Sequence, residues 1–336
     1  VPAQQAHRLF NFCPMSNKKY YTLLFSFLLS FSAFCQTSDS IIQNLKKDPK
    51  ALYFIVMGDW GQNGELLQKP VAHWMGIAAR QVDAAFVITT GDNFYCCGVK
   101  DVNDSQWQTS FENIYTDSAL QITWYPTLGN HDYQGNVQVE IDYSNISNRW
   151  QMPARYYNFV KNNALFILLD TNPFISSYHK GYLNETDLVL QDTAAQWHWL
   201  DTTLTHRKEK WTFVFGHHPV HSTGHYGDSP DLVQKLKPRL EKHRVQIYFS
   251  GHEHDLQHQQ PEGSRVHYFV SGGGLEGRAN KSPQAMTHFA EATPGFMVVA
   301  LKRKTLQVYT INAQGKVLYT AIINRAGKLK HSTKNG

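Results

Sequence analysis

Five short segments carry the side chains able to do chemistry: Gly58-Asp59-Trp60-Gly61, Gly91-Asp92-Asn93-Phe94-Tyr95, Gly129-Asn130-His131-Asp132, Gly216-His217-His218-Pro219 and Gly251-His252-Glu253-His254. Asp59, Asp92, Asn130, His217, His252 and His254 offer oxygen and nitrogen donors, with no thiolate among them. Mixed carboxylate, carboxamide and imidazole donors suit iron, zinc or manganese. A single structural zinc needs only four ligands. The larger set here, with the Tyr95 phenol, fits two ions sharing a carboxylate. Such pairs suit phosphoryl chemistry, where they activate a hydroxide and neutralise phosphate oxygens as charge builds. Any one Gly-Asp or Gly-His pair is more often just a turn. Five of them, each after an apolar run, carry far more weight.

The apolar runs are the elements that must position these groups. Leu52–Met57 reads as a buried strand into Asp59, Ala84–Ile88 as one into Asp92, and Ile122–Leu128 as one into Asn130. Trp211–Phe215 leads into His217 and Val245–Phe249 into His252. Helical spacing is expected over Glu65–Arg80, Asp104–Ile114, Ala194–Leu204 and Asp231–Lys242, and a hairpin over Arg155–Val160 and Ala164–Leu169. After His254 the helices fade. Val266–Val270, Gly295–Leu301, Thr305–Ile311 and Val317–Ile323 read as strands. The alternation predicts an α/β domain, and the late strands predict much antiparallel sheet within it. Open α/β sheets place their chemistry at the carboxyl ends of strands, where all five segments fall. One domain over residues 51–326 is expected, after a linker at 36–50 and before a basic, frayed tail at 327–336.

With these motifs in order, the chain resembles the calcineurin-like metallophosphoesterase superfamily. Within it the chain is most similar to the purple acid phosphatases of the small, tartrate-resistant type 5 kind. Three features carry the finer resemblance: Gly61 where many other members have a histidine, Tyr95 three residues after Asp92, and Gly216-His217-His218-Pro219-Val220. The resemblance implies a four-layer α/β/β/α sandwich with mixed sheets. It also implies an acid phosphatase that hydrolyses phosphate monoesters by attack of metal-bound hydroxide. Asp59, Asp92, Tyr95 and His254 would hold Fe(III). Asp92 would bridge to a divalent ion, Fe(II), Zn or Mn, held by Asn130, His217 and His252. A hard phenolate donor suits Fe(III), and an ion of that charge lowers the pKa of bound water enough for work at acid pH.

The resemblance further makes His131 the residue that contacts phosphate and assists the leaving group, with Asp132 orienting its ring. A second histidine usually follows the Gly-His-x-Pro-Val motif. Here His225 is favoured for that place and His221 is the rival, while Tyr226 stands at the usual position. Small phosphorylated molecules, and phosphoproteins among them, are the expected substrates. The alternative is a phosphodiesterase or nucleotide pyrophosphatase with two divalent metals, preferred if Tyr95 is not a ligand.

Composition narrows the classes. The formal charge is +5, and three of those charges (Arg8, Lys18, Lys19) lie in the first 35 residues. What remains makes no global case for nucleic-acid binding. The cysteines are Cys13, Cys35, Cys96 and Cys97, which is no disulfide framework. The adjacent Cys96-Cys97 pair reads as two free thiols, with a redox or wall-forming role as the other reading. Met15-Ser16-Asn17-Lys18-Lys19, the apolar run Tyr20–Phe34 and the polar stretch after it read as a secretory signal peptide, too short for a stable membrane span. Export to the periplasm or outside the cell is expected, with cleavage before Gln36. Lipid attachment at Cys35 is the rival, and Phe34 fits it poorly.

Overall fold

Two sheets face each other, and their contact is aromatic. Phe54 and Phe86 of one sheet meet Phe166 of the other at ring separations of 5.4 and 5.3 Å, and Phe54 also meets Phe213 at 5.6 Å. The computed structural model describes residues 41–335 except 181–187, 189, 276, 279, 280, 282 and 283. The signal-peptide and Cys35 expectations lie outside the described residues. In chain order the elements begin with β1 (Leu52–Met57), α1 (Gln68–Val82), β2 (Phe86–Thr89), β3 (Thr123–Pro126) and α2 (Val137–Asp142). The middle of the chain forms β4 (Tyr157–Lys161), β5 (Ala164–Leu168), α3 (Thr193–His206), β6 (Trp211–Phe215), α4 (Pro230–Lys242) and β7 (Ile247–Ser250). The remainder is strand: β8 (Leu256–Gln259), β9 (His267–Ser271), β10 (Thr287–Glu291), β11 (Gly295–Leu301), β12 (Thr305–Asn312), β13 (Val317–Asn324) and β14 (Leu329–Lys334).

The sheets run β14-β13-β12-β11-β1-β2-β3 and β10-β8-β9-β7-β6-β5-β4. In the first, β1, β2 and β3 are parallel and β11 to β14 antiparallel. In the second, β5, β6, β7 and β9 are parallel, β4 pairs antiparallel with β5, and β8 pairs antiparallel with both β9 and β10. Helix α1 connects β1 to β2, while α3 and α4 connect β5 to β6 and β6 to β7, as parallel neighbours require. The result is the α/β/β/α sandwich with mixed sheets. Strands buried on both faces explain the unbroken apolar runs: β1, β5, β6 and β11 are buried at every position. The β4–β5 hairpin turns at Asn162 and Asn163, with φ of 48° and 61°, values asparagine tolerates and a two-residue primed turn needs.

Several boundaries differ from the sequence expectation. The stretch expected as a helix over residues 104–114 is one wide turn, Trp107–Glu112, in which Asn113 N–H donates to the Gln108 carbonyl at 3.0 Å. Its Trp107 and Phe111 pack into an aromatic block with Trp60, Phe94 and Trp150. The linker is partly core: Ile42 and Leu45 are buried, and the Gln81 amide is bonded to the backbone of both. The basic tail is a strand, because β14 pairs with β13 from Tyr319↔Lys334 to Ile323↔Leu329. Its polar, exposed side chains gave no strand signal, yet its backbone completes a ladder. β8 and β10 also differ from the expectation; Leu256-Gln257-His258-Gln259 is buried through polar side chains, with Gln259 bonded to Gln257 and His258 to Tyr319 and His267.

Phe166 touches rings from both sheets, at Phe54, Phe86, Phe159 and Phe213. Phe166→Ala should therefore lower unfolding free energy by about 3–5 kcal/mol, measured by denaturant titration. A loss below about 1 kcal/mol would mean that the sheets do not depend on this contact.

Candidate metal centre

All five motif segments leave carboxyl ends of parallel strands, β1, β2 and β3 from one sheet and β6 and β7 from the other. The two sets meet because loops from opposite sheets are tied. Ser271 Oγ donates to the Val56 carbonyl at 2.9 Å, and Gly274 N–H to the Gly58 carbonyl at 3.0 Å. Asp59, Asp92 and His252 have left-handed backbone, with φ of 57°, 50° and 69°. That conformation is uncommon for residues with a Cβ and concentrates at functional sites. Gly91 has φ of 86°, and a Cβ there would lie 2.7 Å from His217 Nδ1, so the Asp92 loop can approach His217 only through glycine.

Two groups of donors result. In the first, the Tyr95 hydroxyl lies 3.1 Å from Asp59 Oδ1, 2.9 Å from Asp92 Oδ2 and 3.2 Å from His254 Nε2. In the second, Asn130 Oδ1 lies 3.1 Å from both His217 Nε2 and His252 Nδ1, and those two nitrogens are 3.2 Å apart. Asp92 Oδ2 is also 3.4 Å from His217 Nε2, so it belongs to both groups. All seven side chains foreseen as ligands converge here.

The donor chemistry fits cations. One phenolic proton faces three acceptor atoms in the first group. In the second, His217 Nδ1 donates to the Thr90 carbonyl at 2.8 Å, which leaves Nε2 facing the Asn130 oxygen. Burial raises Asp59 well above the usual carboxylate range, and the neighbouring Asp92 charge adds to the shift. Burial would raise Asp92 too, but the His217 charge overrides it and holds it low. Tyr95 is raised by burial and by both carboxylates. Burial opposes a charge on His217, yet Asp92 pushes its pKa up to about 9, so a proton stands where a cation is wanted. His252 is held low by burial and by His217, and His254 is pushed down to about 3 by burial and Arg278. Neutral imidazoles are the form that binds metal.

His218, beside His217 and His252, is occupied otherwise: Nδ1 bonds Thr171 Oγ1 at 2.9 Å and Nε2 bonds the Tyr178 hydroxyl at 2.8 Å. Gly61 contributes its carbonyl, which accepts Tyr95 N–H at 2.8 Å. Asn93 is a buried tie between loops. Its oxygen accepts from Trp60 Nε1 and Thr89 Oγ1, and its nitrogen donates to Thr127 O and Glu140 Oε2.

The centre opens into a cleft of about 560 Å³ lined by Asp92, Asn130, His131, Tyr226, His252 and Arg278, among others. His131 is at its wall, with Nδ1 2.6 Å from the Cys96 carbonyl. Asp132 does not orient that ring. It points away from the cleft and accepts backbone N–H groups from Asn93, Phe94 and Gly129 at 2.9, 3.1 and 2.8 Å. Burial and Asp92 push its pKa up to about 7. His225 is exposed and does not line the cleft, and His221 is buried against Asp228 Oδ2 at 2.9 Å. The place expected for a second histidine belongs to Tyr226, whose ring stacks on His252 at 4.6 Å. Arg278 donates to the Tyr226 hydroxyl at 3.0 Å. Nothing in the sequence singles Arg278 out, since it follows a glycine-rich loop with no motif around it.

Comparison with known proteins agrees with this geometry. Residues 36–256 match the calcineurin-like phosphoesterase family. Purple acid phosphatase 7 of Arabidopsis thaliana is 34% identical, over 83% of this chain and 88% of its own length. The chain belongs to the purple acid phosphatases. Human tartrate-resistant acid phosphatase type 5 is 33% identical over 83% of this chain and 92% of its own. Among solved structures, GAP50 of Plasmodium, described as the anchor in the inner membrane complex, superposes with a TM-score of 0.72 at 24% identity, covering 82% of this chain and 89% of that one. That likeness concerns the fold. This purple acid phosphatase is accordingly a metal-dependent phosphoric monoester hydrolase of the acid phosphatase class.

Asn130→Ala should leave His217 and His252 without their shared oxygen. The variant is expected to bind about one metal ion fewer per chain by elemental analysis and to lose at least about 10²-fold in kcat. Full metal content with full turnover would remove Asn130 from the centre.

Proposed function

We propose that this protein is an exported acid phosphatase that hydrolyses phosphate monoesters at a binuclear Fe(III)–M(II) centre, with Fe(II), Zn or Mn as the divalent ion. The observation that carries the reading is the Tyr95 hydroxyl among Asp59, Asp92 and His254. Those four residues would hold Fe(III). Asn130, His217 and His252 would hold the divalent ion, and Asp92 would serve both. When bound, the ions supply a strongly acidified water and the positive charge that takes up phosphate oxygens. Export rests on the lysine-preceded apolar run before Gln36. Among the described residues no helix is long and apolar enough to cross a membrane.

The chain's own groups then have distinct tasks. The Thr90 carbonyl keeps His217 in the tautomer that presents Nε2. The Cys96 carbonyl takes Nδ1–H of His131, which leaves Nε2 to hold a phosphate oxygen or pass a proton to the departing alkoxide. Arg278 brings a cation to the cleft wall, aligned by Tyr226, to hold a substrate oxyanion. Asp132 keeps the Asn93 and Gly129 loops together, so its effect on turnover is positional. His225 has no task at the centre. The diesterase reading with two divalent metals is weakened by the position of Tyr95.

The visible spectrum of the iron-loaded, oxidised protein tests the centre. A violet tyrosinate-to-iron band is expected, lost in Tyr95→Phe. A colourless protein holding two divalent ions would favour the diesterase. His131→Ala should lower kcat on a small monoester by roughly 10²–10⁴-fold with little change in metal content. An unchanged kcat would leave His131 as a packing residue.

A further inference from the structure

A second, larger cavity of about 840 Å³ lies at the opposite end of the strands. Lys210 precedes β6 and Gln246 precedes β7, and both line it, whereas the metal-binding residues follow those strands. The five residues of β6 alone put roughly 17 Å between the two ends. Arg244, Arg265, Arg303, Lys304 and Arg325 converge on the cavity from four separate loops or turns, and Lys330 reaches it from β14. Lys210 and Arg207 are the other cations in the lining, and the Arg207 guanidinium donates to the carbonyls of Leu204 and His243, with Glu209 the nearby acid. No carboxylate among the described residues lines the cavity, and none of its cations is ion-paired.

The walls are built. Gln246 Nε2 donates to the Arg325 carbonyl at 3.2 Å, Arg325 N–H to the Lys304 carbonyl at 3.3 Å, and His267 Nε2 lies 3.2 Å from the Gly327 carbonyl. Turns from both sheets are thereby joined around one concave space. Gathering like charges without counter-charge is unfavourable unless an anion relieves it. Arginine outnumbers lysine here, and its planar fork suits phosphate oxygens taken two at a time.

We propose that this cavity is a non-catalytic binding site for a compact oligophosphate, a ligand carrying several adjacent phosphoryl groups. Its lining has no aromatic ring on which a nucleobase could stack. Val245 and Ala326 are the only apolar side chains in its lining, too few for insertion into lipid. Its volume suits a small ligand. Occupancy would fasten the enzyme to phosphate-rich material while the catalytic cleft, at the other end of the sheets, stays open. The site does not depend on the identity of the metals.

The test is calorimetric titration of the full chain, metals bound, with methylene-bridged tripolyphosphate, in excess orthophosphate to occupy the catalytic cleft. The wild type should bind one equivalent. Arg303→Glu with Arg325→Glu should weaken binding by at least about tenfold and leave kcat on a small monoester unchanged. Lys46→Glu with Lys316→Glu, equal in charge change but elsewhere, should leave affinity within about twofold. No binding by the wild type, or equal weakening in both double variants, would overturn the proposal. So would co-sedimentation with phosphatidic acid vesicles, lost in the first double variant, when the soluble triphosphate does not bind. Because the readout is binding, its failure would leave the hydrolytic reading untouched, and loss of the violet band would leave this site untouched.

Discussion

Asp92 sits where two groups of electron-pair donors meet, and the rest of the structure exists to keep it there. Its Oδ2 is shared between the Tyr95 hydroxyl and His217 Nε2, while Oδ1 accepts His131 N–H at 2.8 Å. Asp59 and Tyr95, both buried, crowd the same space. Without positive charge such a cluster repels itself, which is why Asp59 and Tyr95 rise and His217 gains a proton. Cations would relieve the same repulsion. The protein must therefore hold mutually unfavourable groups in register until the ions arrive, and only a stiff frame can do that.

The frame is the pair of sheets. Parallel strands end at one edge, the aromatic layer between Phe54, Phe86, Phe166 and Phe213 sets their spacing, and bonds such as Ser271 of β9 to Val56 of β1 lock one sheet to the other. A buried polar layer beneath the centre does the finer work. The Asn93 side chain joins five partners, and Asp132 gathers three backbone N–H groups, so the loops after β1, β2 and β3 are tied into one piece. Polar groups buried this deeply are favourable only when bonded. These residues adjoin the ligands in sequence, yet their work is to hold backbone.

How much was legible follows from what each feature depends on. Strands β1, β5, β6 and β11 announced themselves because burial on both faces demands unbroken apolar runs. β8 and β14 did not. β8 is buried through two glutamines that bond each other and a histidine bonded to Tyr319 and His267, and β14 is an edge whose side chains face water. The seven converging donor residues were legible because metal chemistry restricts residue type at each position. Roles carried by main-chain atoms were not, since every residue has a carbonyl. The expected partner of His131 was Asp132, and the Cys96 carbonyl takes that place.

By itself, then, the sequence determined the donor set, its order along the chain and its placement at strand ends, and with these the family and the class of reaction. Tertiary structure alone decided what else lines the cleft. His225, Tyr226 and Arg278 could each have been placed there by different loop paths; the path taken leaves His225 outside, lays Tyr226 on His252 and brings Arg278 in from the other side. It also decided that cations scattered over residues 207–330 share one cavity. Ligand identity is a local chemical constraint that a short motif can record. Which distant loops become neighbours is set by the summed packing of two sheets, and no short segment carries that.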